Sequence, residues 1–407
     1  MKLLFLISLL FCLYSIQAFK IQEKPKTNSF KQTQLWFDYQ LINHFDVQDN
    51  RTYSQRYWVM DQFYDRKVGP VFLYICGEYT CSGIPDERQY PGVLAQKFNA
   101  LVLVLEHRFY GASQPFGNDS WSIENLRYLT INLALADLAY FIQWSKDTQV
   151  YGITQNTPWI TIGGSYPGAL SGWFRYKYPH LTVGALASSA VVNSILDFVE
   201  FDAQIRTSTL KSGPQCTEAI QNLTKMAEFY LSDVDLREDF LASFNAQKLL
   251  NQEFLFFFAD IFVELVQYGK REFLCDLLQN KTLSQQMDSI RNYSLASAPP
   301  ESYAVYYIRN ETVDINNANR QWTYQTCAEV GWFQTYYPNK TLSMRSTNVT
   351  LEFYRQWCKD SFGKDLWPNV ENTNLEFGGK NLEAFNVIFT NGGEVKFTKD
   401  IFLLKCF

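Results

Sequence analysis

One stretch limits what this chain can fold into more than any other: Gly163-Gly164-Ser165-Tyr166-Pro167-Gly168. The short apolar run Ile160-Thr161-Ile162 leads into it, and Ala169-Leu170-Ser171-Gly172 opens a helical pattern behind it. A serine between strand and helix, spaced as Gly163-x-Ser165-x-x-Gly168, has the setting of a nucleophile elbow. The spacing is one residue looser than Gly-x-Ser-x-Gly, because Pro167 stands where the second glycine usually sits. Gly163 and Gly164 permit a sharp turn beside a strained side chain. Pro167 suits a first helical turn, where its missing N–H is not needed. Ser165 Oγ would then stand clear of a sheet at a helix N-terminus, where free N–H groups and the helix dipole favour a developing oxyanion. The plainer reading is a glycine-rich turn with no chemistry.

The surrounding pattern supplies the sheet that an elbow needs. Tyr39–Phe45 and Gln55–Phe63 read as antiparallel strands across the polar turn 46–50, and residues 19–34 read as an ill-ordered N-terminal stretch. Val71–Cys76 and Leu101–Glu106 are apolar throughout, as strands buried on both faces should be. A helix is expected over 91–98, and an amphipathic one over 132–144 with Leu133, Leu135, Leu138 and Ile142 on its apolar face. With the Ser165 strand and Val183–Ala190, strands alternate with helices, which predicts a parallel α/β sheet. From about Asp197 helical patterns take over, at 216–231, 236–246, 252–269 and 272–278. The spacing therefore predicts a first core segment over 19–196, a mainly helical insertion over 197–380, and a return strand, Phe385–Thr390, within 381–407.

Composition narrows the function. With 36 Lys and Arg against 41 Asp and Glu the net charge is −5, with no basic patch to hold nucleic acid. No metal-ligand cluster and no phosphate-cradling glycine loop is visible, so no metal or cofactor is expected. Met1–Ala18 reads as a secretory signal peptide: Lys2, then apolar Leu3–Leu13, then the small-residue end at Ala18. No later run is long and apolar enough to span a bilayer. Glycosylation acceptors at Asn50, Asn118, Asn222, Asn280, Asn292, Asn310, Asn339 and Asn348 agree with a secreted, lysosomal or extracellular chain. Past the leader, Cys76, Cys81, Cys216, Cys275, Cys327, Cys358 and Cys406 remain, an odd set for a secreted protein.

An elbow serine is inert without a base, and in chains built on this elbow an Asp or Glu and then a His follow the serine. Only His44, His107 and His180 are present. His180 lies at the far end of the helix after Ser165, about 20 Å away at ~1.5 Å per residue, well beyond hydrogen-bond reach. His44 sits in an early hairpin and reads as packing. His107 follows a core strand, at the strand end that faces a ligand crevice, but it precedes the serine in the chain. Glu78, in Cys76-Gly77-Glu78-Tyr79-Thr80-Cys81, follows another strand. The turn Gly77–Tyr79 could donate a second oxyanion N–H, or be a plain turn clipped by a Cys76–Cys81 bridge.

Seven segments in order carry a resemblance: Leu105-Glu-His-Arg-Phe-Tyr-Gly111, Leu126–Thr130, Ala134–Tyr140, Gly163–Ala169, Lys177–His180, Ala187–Ala190 and Gln321-Trp-Thr-Tyr-Gln-Thr-Cys327. Over about 36 to 394 the chain resembles the prolyl serine carboxypeptidase family, and its Gly-Gly-Ser-Tyr-Pro-Gly looks most like the thymus-specific branch. The resemblance implies an α/β-hydrolase core with a late helical cap and serine peptidase chemistry beside proline, on peptide substrates. Ser165 would be the nucleophile, with Tyr166 and the Gly77–Glu78 turn forming the oxyanion hole. It implies two cap bridges among Cys216, Cys275, Cys327 and Cys358, the pairing left open. Trp322, Tyr324 and Gln325, in the aromatic-rich cap, would help shape the substrate site.

The chain departs from the family at its end. The family continues Asn-Gly-x-x-Asp-Pro-Trp, and this sequence reads Asn391-Gly392-Gly393-Glu394-Val395-Lys396-Phe397. Val395 stands in place of the triad Asp, and neither that Asp nor the later His can be carried over. The expectation is a core lacking its last strands and helix, with an aberrant tail from Val395 that holds the odd Cys406. Val395-Lys396-Phe397 can be encoded by a splice-donor-like GTAAA, which is how an unspliced message would read. Two functions follow: a serine exopeptidase, taking either dipeptides or single C-terminal residues, whose chain as written is nearly inactive, or a non-catalytic secreted peptide-binding glycoprotein of the same fold. A lipase or esterase shares the core but is disfavoured by the cap motifs. Oligomeric state is not legible.

Overall fold

The computed structural model describes residues 30–84, 90–297 and 299–393. The leader 1–18, Glu394, Val395 and Cys406 lie outside these residues. Among the described residues the central sheet has seven strands in the order β1-β2-β4-β3-β5-β6-β9: Thr33–Leu41, Thr52–Met60, Leu101–Leu105, Val71–Ile75, Trp159–Gly164, Gly184–Ser188 and Val387–Thr390. β1, β2 and β4 pair antiparallel, and β4, β3, β5, β6 and β9 run parallel. Alternation buries both faces. Val71, Leu73 and Ile75 point into one apolar cluster, and Phe72 and Cys76 into the other. Helix α1 (Tyr90–Phe98) presents Ala95 to the second cluster, and helices α2 (Ile131–Asp147) and α3 (Tyr166–Lys177) cover the first. This is an α/β-hydrolase core.

The stretch read as ill-ordered includes the start of β1, at Thr33. Its strand signal is hidden by exposed polar residues, Gln34 and Asp38. Phe37 is the inward anchor, packed on Trp144 and Phe141 of α2 at ring-centroid distances of 4.8 and 5.5 Å.

Over the sheet's carboxyl ends lies a helical cap: α4 (Val199–Thr209), α5 (Pro214–Ser232), α6 (Val234–Ser243), α7 (Asn251–Gln267), α8 (Arg271–Leu278), α9 (Leu283–Leu295), α10 (Asn319–Gln325), α11 (Leu351–Phe362) and α12 (Val370–Phe377). Within it the structure corrects one reading. The strand pattern does not wait for Phe385, because β7 (Ile195–Asp197) and β8 (Gly331–Phe333) form a separate two-stranded parallel sheet. At three residues each they are too short to show a period. Cys216–Cys275 ties α5 to α8, Cys327–Cys358 ties the π-helical turn after α10 to α11, and Cys76–Cys81 closes the turn after β3. Closing a loop of 59 residues stabilises by about 4 kcal/mol on the chain-entropy account. All eight acceptor asparagines are exposed.

A buried ion network locks the first hairpin to the core. Asp137 on α2 accepts from Arg108 Nε at 2.7 Å and Nη2 at 2.5 Å, from His44 Nε2 at 2.8 Å and from the Tyr53 hydroxyl at 3.0 Å. Burial pushes its carboxyl upward, but Arg108 and then His44 outweigh this and hold it below the usual carboxylate value. Arg108 is also satisfied by the carbonyls of Leu41, Ile42 and Tyr128. Asp137→Asn leaves Arg108 buried without its counter-charge and should lower unfolding free energy by roughly 3–5 kcal/mol, read as a shift in urea midpoint. Because the folded value is depressed, Asp137's contribution is present above about 3.9, the ordinary unfolded value, and is lost as pH falls through the folded one. The variant's deficit should therefore shrink in acid.

Candidate active site

The elbow is built by close approach. A Cβ on Gly163 would lie 2.1 Å from the Pro167 carbonyl oxygen, and one on Gly168 would lie 2.6 Å from the Ser188 oxygen of β6. Only glycine lets α3 fold back onto β5 and β6 this tightly. Ser165 caps the turn at φ 62°, ψ −127°, a conformation that L-residues seldom adopt. It is fixed there by its own N–H, which donates to Ser188 O at 2.9 Å. The residue is partly exposed. It faces a cavity of about 420 Å³ between core and cap, with Glu78 and Tyr166 below and Phe201, Asp260, Trp322 and Trp357 above.

The turn after β3 is pressed against the elbow. A Cβ on Gly77 would sit 2.3 Å from the Pro167 ring. Buried Glu106 anchors the far side of this turn by accepting from the Cys81 N–H at 3.1 Å, and Arg56 donates to both Glu106 and the Cys81 carbonyl. Glu78 is thereby held at the cavity wall. Burial pushes its carboxyl up to about 7, and its Oε2 is covered with no hydrogen-bond partner. Tyr166 N–H, first in α3, has no intrahelical acceptor by construction.

The three histidines are engaged elsewhere. His44 binds Asp137. His180 is exposed beside Tyr178, with ring centroids 6.3 Å apart. His107 faces the Arg108 carbonyl through Nδ1 at 2.8 Å, so that nitrogen carries the proton. Its Nε2 then accepts from the Tyr166 hydroxyl at 3.0 Å, and burial pushes its pKa down to about 4. Gln325 completes the network by donating to Tyr166 Oη at 2.8 Å and accepting from Tyr110 at 2.6 Å.

Of the three cap residues expected to shape substrate binding, only Trp322 lines the cavity. Asn319, Trp322, Thr323 and Thr326 do so together, at i, i+3, i+4 and i+7 along one helical face. Tyr324 and Gln325 are not among the lining residues: Tyr324 packs against Phe362, and Gln325 stands one contact behind the wall, bonded to the lining residue Tyr166. Thr323, Asp260 and Trp357 also line the cavity, and their only signal in the sequence is helical spacing within the cap.

A model of the serine carboxypeptidase S28 family matches residues 40–394. The chain belongs to that family. It is 40% identical over 375 residues to a probable serine protease, EDA2, of Arabidopsis thaliana, covering 89% of this chain and 74% of that one. It is 31% identical to the human thymus-specific serine protease and 29% to human lysosomal Pro-X carboxypeptidase, covering 88% and 87% of this chain and 75% of each relative. Among solved structures an arylesterase superposes over 45% of this chain and 52% of its own, at 14% identity and a TM-score of 0.29, too loose a match to bear on the site. The three disulfides are consistent with the secretory pathway. Among the described residues no helix is long and apolar enough to cross a membrane, and no group of three or more His, Cys, Asp or Glu could hold a metal ion.

Neighbouring glycines of the elbow should differ sharply. Gly163→Ala drives a methyl into a backbone oxygen and should destabilise the fold by more than about 3 kcal/mol, beyond ordinary overpacking. At Gly164 the nearest heavy atom to a Cβ is 3.8 Å away. Gly164→Ala should leave thermal unfolding nearly unchanged, and a scan of both variants reads the contrast.

Proposed function

We propose that this member of the S28 family is a serine-type exopeptidase of the secretory pathway, lysosomal or extracellular, acting on peptides next to proline. The observation that carries the reading is Ser165, strained into the left-handed region and open to the cavity under the cap. Ser165 Oγ would attack the scissile carbonyl. The Tyr166 N–H and the Gly77–Glu78 turn would stabilise the oxyanion, and Trp322 would pack the residue before the scissile bond. The preference for proline rests on the relatives named as Pro-X carboxypeptidases.

A second reading is favoured by a specific observation: each of the three histidines is bonded or placed away from Ser165. The chain would then hold peptides as a catalytically silent glycoprotein. Without a base beside Ser165, only ~10³–10⁴-fold catalysis over water would remain, from the oxyanion hole and binding. A fluorophosphonate probe followed by peptide mapping separates the two. The peptidase reading expects slow modification of Ser165, none in Ser165→Ala, and residual Xaa-Pro hydrolysis that disappears with it. Unmodified Ser165 together with retained peptide binding supports the silent reading.

A further inference from the structure

The turn after β3 has firm ends and a loose middle. At one end the Cys76 N–H donates to the Leu105 carbonyl of β4 at 3.1 Å. At the other, Cys81 gives its N–H to Glu106 at 3.1 Å and its carbonyl accepts from Arg56 at 3.2 Å. Between these anchors, among the described residues, the backbone makes one hydrogen bond of its own, from the Tyr79 N–H to the Gly77 carbonyl at 2.8 Å, and the Thr80 hydroxyl donates to the Ile315 carbonyl of the cap. The N–H groups of Gly77 and Glu78 are bound to no other backbone group, as donors kept for a substrate oxygen must be. Holding residues 77–80 in one conformation is entropically costly with so few bonds. The link that remains is the Cys76–Cys81 bridge, with both cysteines buried and their Cα atoms 6.0 Å apart. Its sequence separation is 5, against 59 and 31 for the cap bridges. Loop entropy grows with loop length, so of the three bridges this one constrains the unfolded chain least.

We propose that the Cys76–Cys81 bridge is a positioning device for the oxyanion hole: closed, it clamps the Gly77–Glu78 turn against the elbow, and open, it leaves Ser165 in place with its oxyanion unsupported. The proposal rests on the peptidase reading and gives that site a control separate from its nucleophile. The separation follows from what holds each part. Ser165 is kept at positive φ by the close approach at Gly163 and Gly168 and by its N–H on Ser188 O, none of which involves the bridge. The cavity walls come from the cap and from α3, and they too are held without it. The turn, by contrast, meets the elbow through Gly77, which lies against the Pro167 ring. A displacement there costs little in the ground state. It matters when charge develops on the substrate oxygen, because a donor moved by about 1 Å no longer meets that charge. Opening the bridge should therefore slow the chemical step and leave peptide binding alone.

The full chain is compared with Cys76→Ala/Cys81→Ala in two readouts: labelling of Ser165 by a fluorophosphonate, and binding of the tripeptide Ala-Pro-Ala. Binding is followed by tryptophan fluorescence, because Trp322, Trp332 and Trp357 line the cavity. The limiting labelling rate should fall roughly a hundred-fold, the worth of one oxyanion donor. The tripeptide should bind as before, and the urea midpoint should move less than in Cys216→Ala/Cys275→Ala. A bridge that only braced the fold would move midpoint and binding together with the rate. A second measurement needs no variant. The native chain is exposed to graded dithiothreitol, quenched with iodoacetamide and mapped; each bridge opened yields two thiols as the dithiol closes to its own disulfide. Loss of labelling should track alkylation of Cys76 and Cys81. Loss that tracks the cap cysteines instead, or equal labelling with the short bridge open, overturns the inference and leaves the peptidase reading standing. A folded native chain whose Ser165 never labels overturns that reading, and the inference with it.

Discussion

The site depends on how closely α3 can lie against the sheet. Two glycines, Gly163 and Gly168, allow backbone to approach backbone where any Cβ would collide with a carbonyl oxygen. That approach forces the connecting residue, Ser165, to a positive φ and turns its side chain out of the sheet. The strain is of order 1–3 kcal/mol, which a core this extensive absorbs. Three features follow from the bend: the helix N-terminus beneath the serine, the Gly77 turn pressed on Pro167, and the place of Ser165 on the cavity wall.

The cap supplies what the core lacks. A sheet with an elbow presents a reactive atom but little shape, and the residues that close over Ser165 come from α4, α7, α10, α11 and the β7–β8 pair. Two disulfides, an ordered aromatic packing and the Asp202–Arg345 pairing make this cover a rigid wall. The Thr80 hydroxyl even donates across to the Ile315 carbonyl of the cap. Selectivity, on this view, resides in the cover, and reactivity in the floor.

Much of this was legible from residues alone. The elbow, the β3 and β4 core strands, α2 and the four cap helices from α5 to α8 all announce themselves by period and punctuation, and the structure places them within a few residues of their expected bounds. β1 was partly hidden because polar residues alternate with its single strong anchor, Phe37. The β7–β8 sheet was invisible, since three residues carry no period. The site divided in the same way. Ser165, Gly77 and Glu78 were readable because glycine-rich turns after strands have a local mechanism. That Trp322 lines the cavity while Tyr324 and Gln325 do not depended on how a short helix meets it, a matter of tertiary packing. Asp260 interrupts the apolar run from Phe254 to Ala259, and only the fold shows that it lines the same cavity as Ser165. The cysteine pairing, too, needed the fold to choose.

The central claim is that Ser165 is displayed at the floor of a peptide-holding cavity. A crystal structure of the chain with Ala-Pro-Ala bound tests it most directly. Peptide density is expected between Ser165 and Trp322, with a peptide carbonyl carbon facing Ser165 Oγ and the serine still at positive φ. Peptide bound away from that cavity, or a Ser165 side chain turned into the sheet, would contradict it.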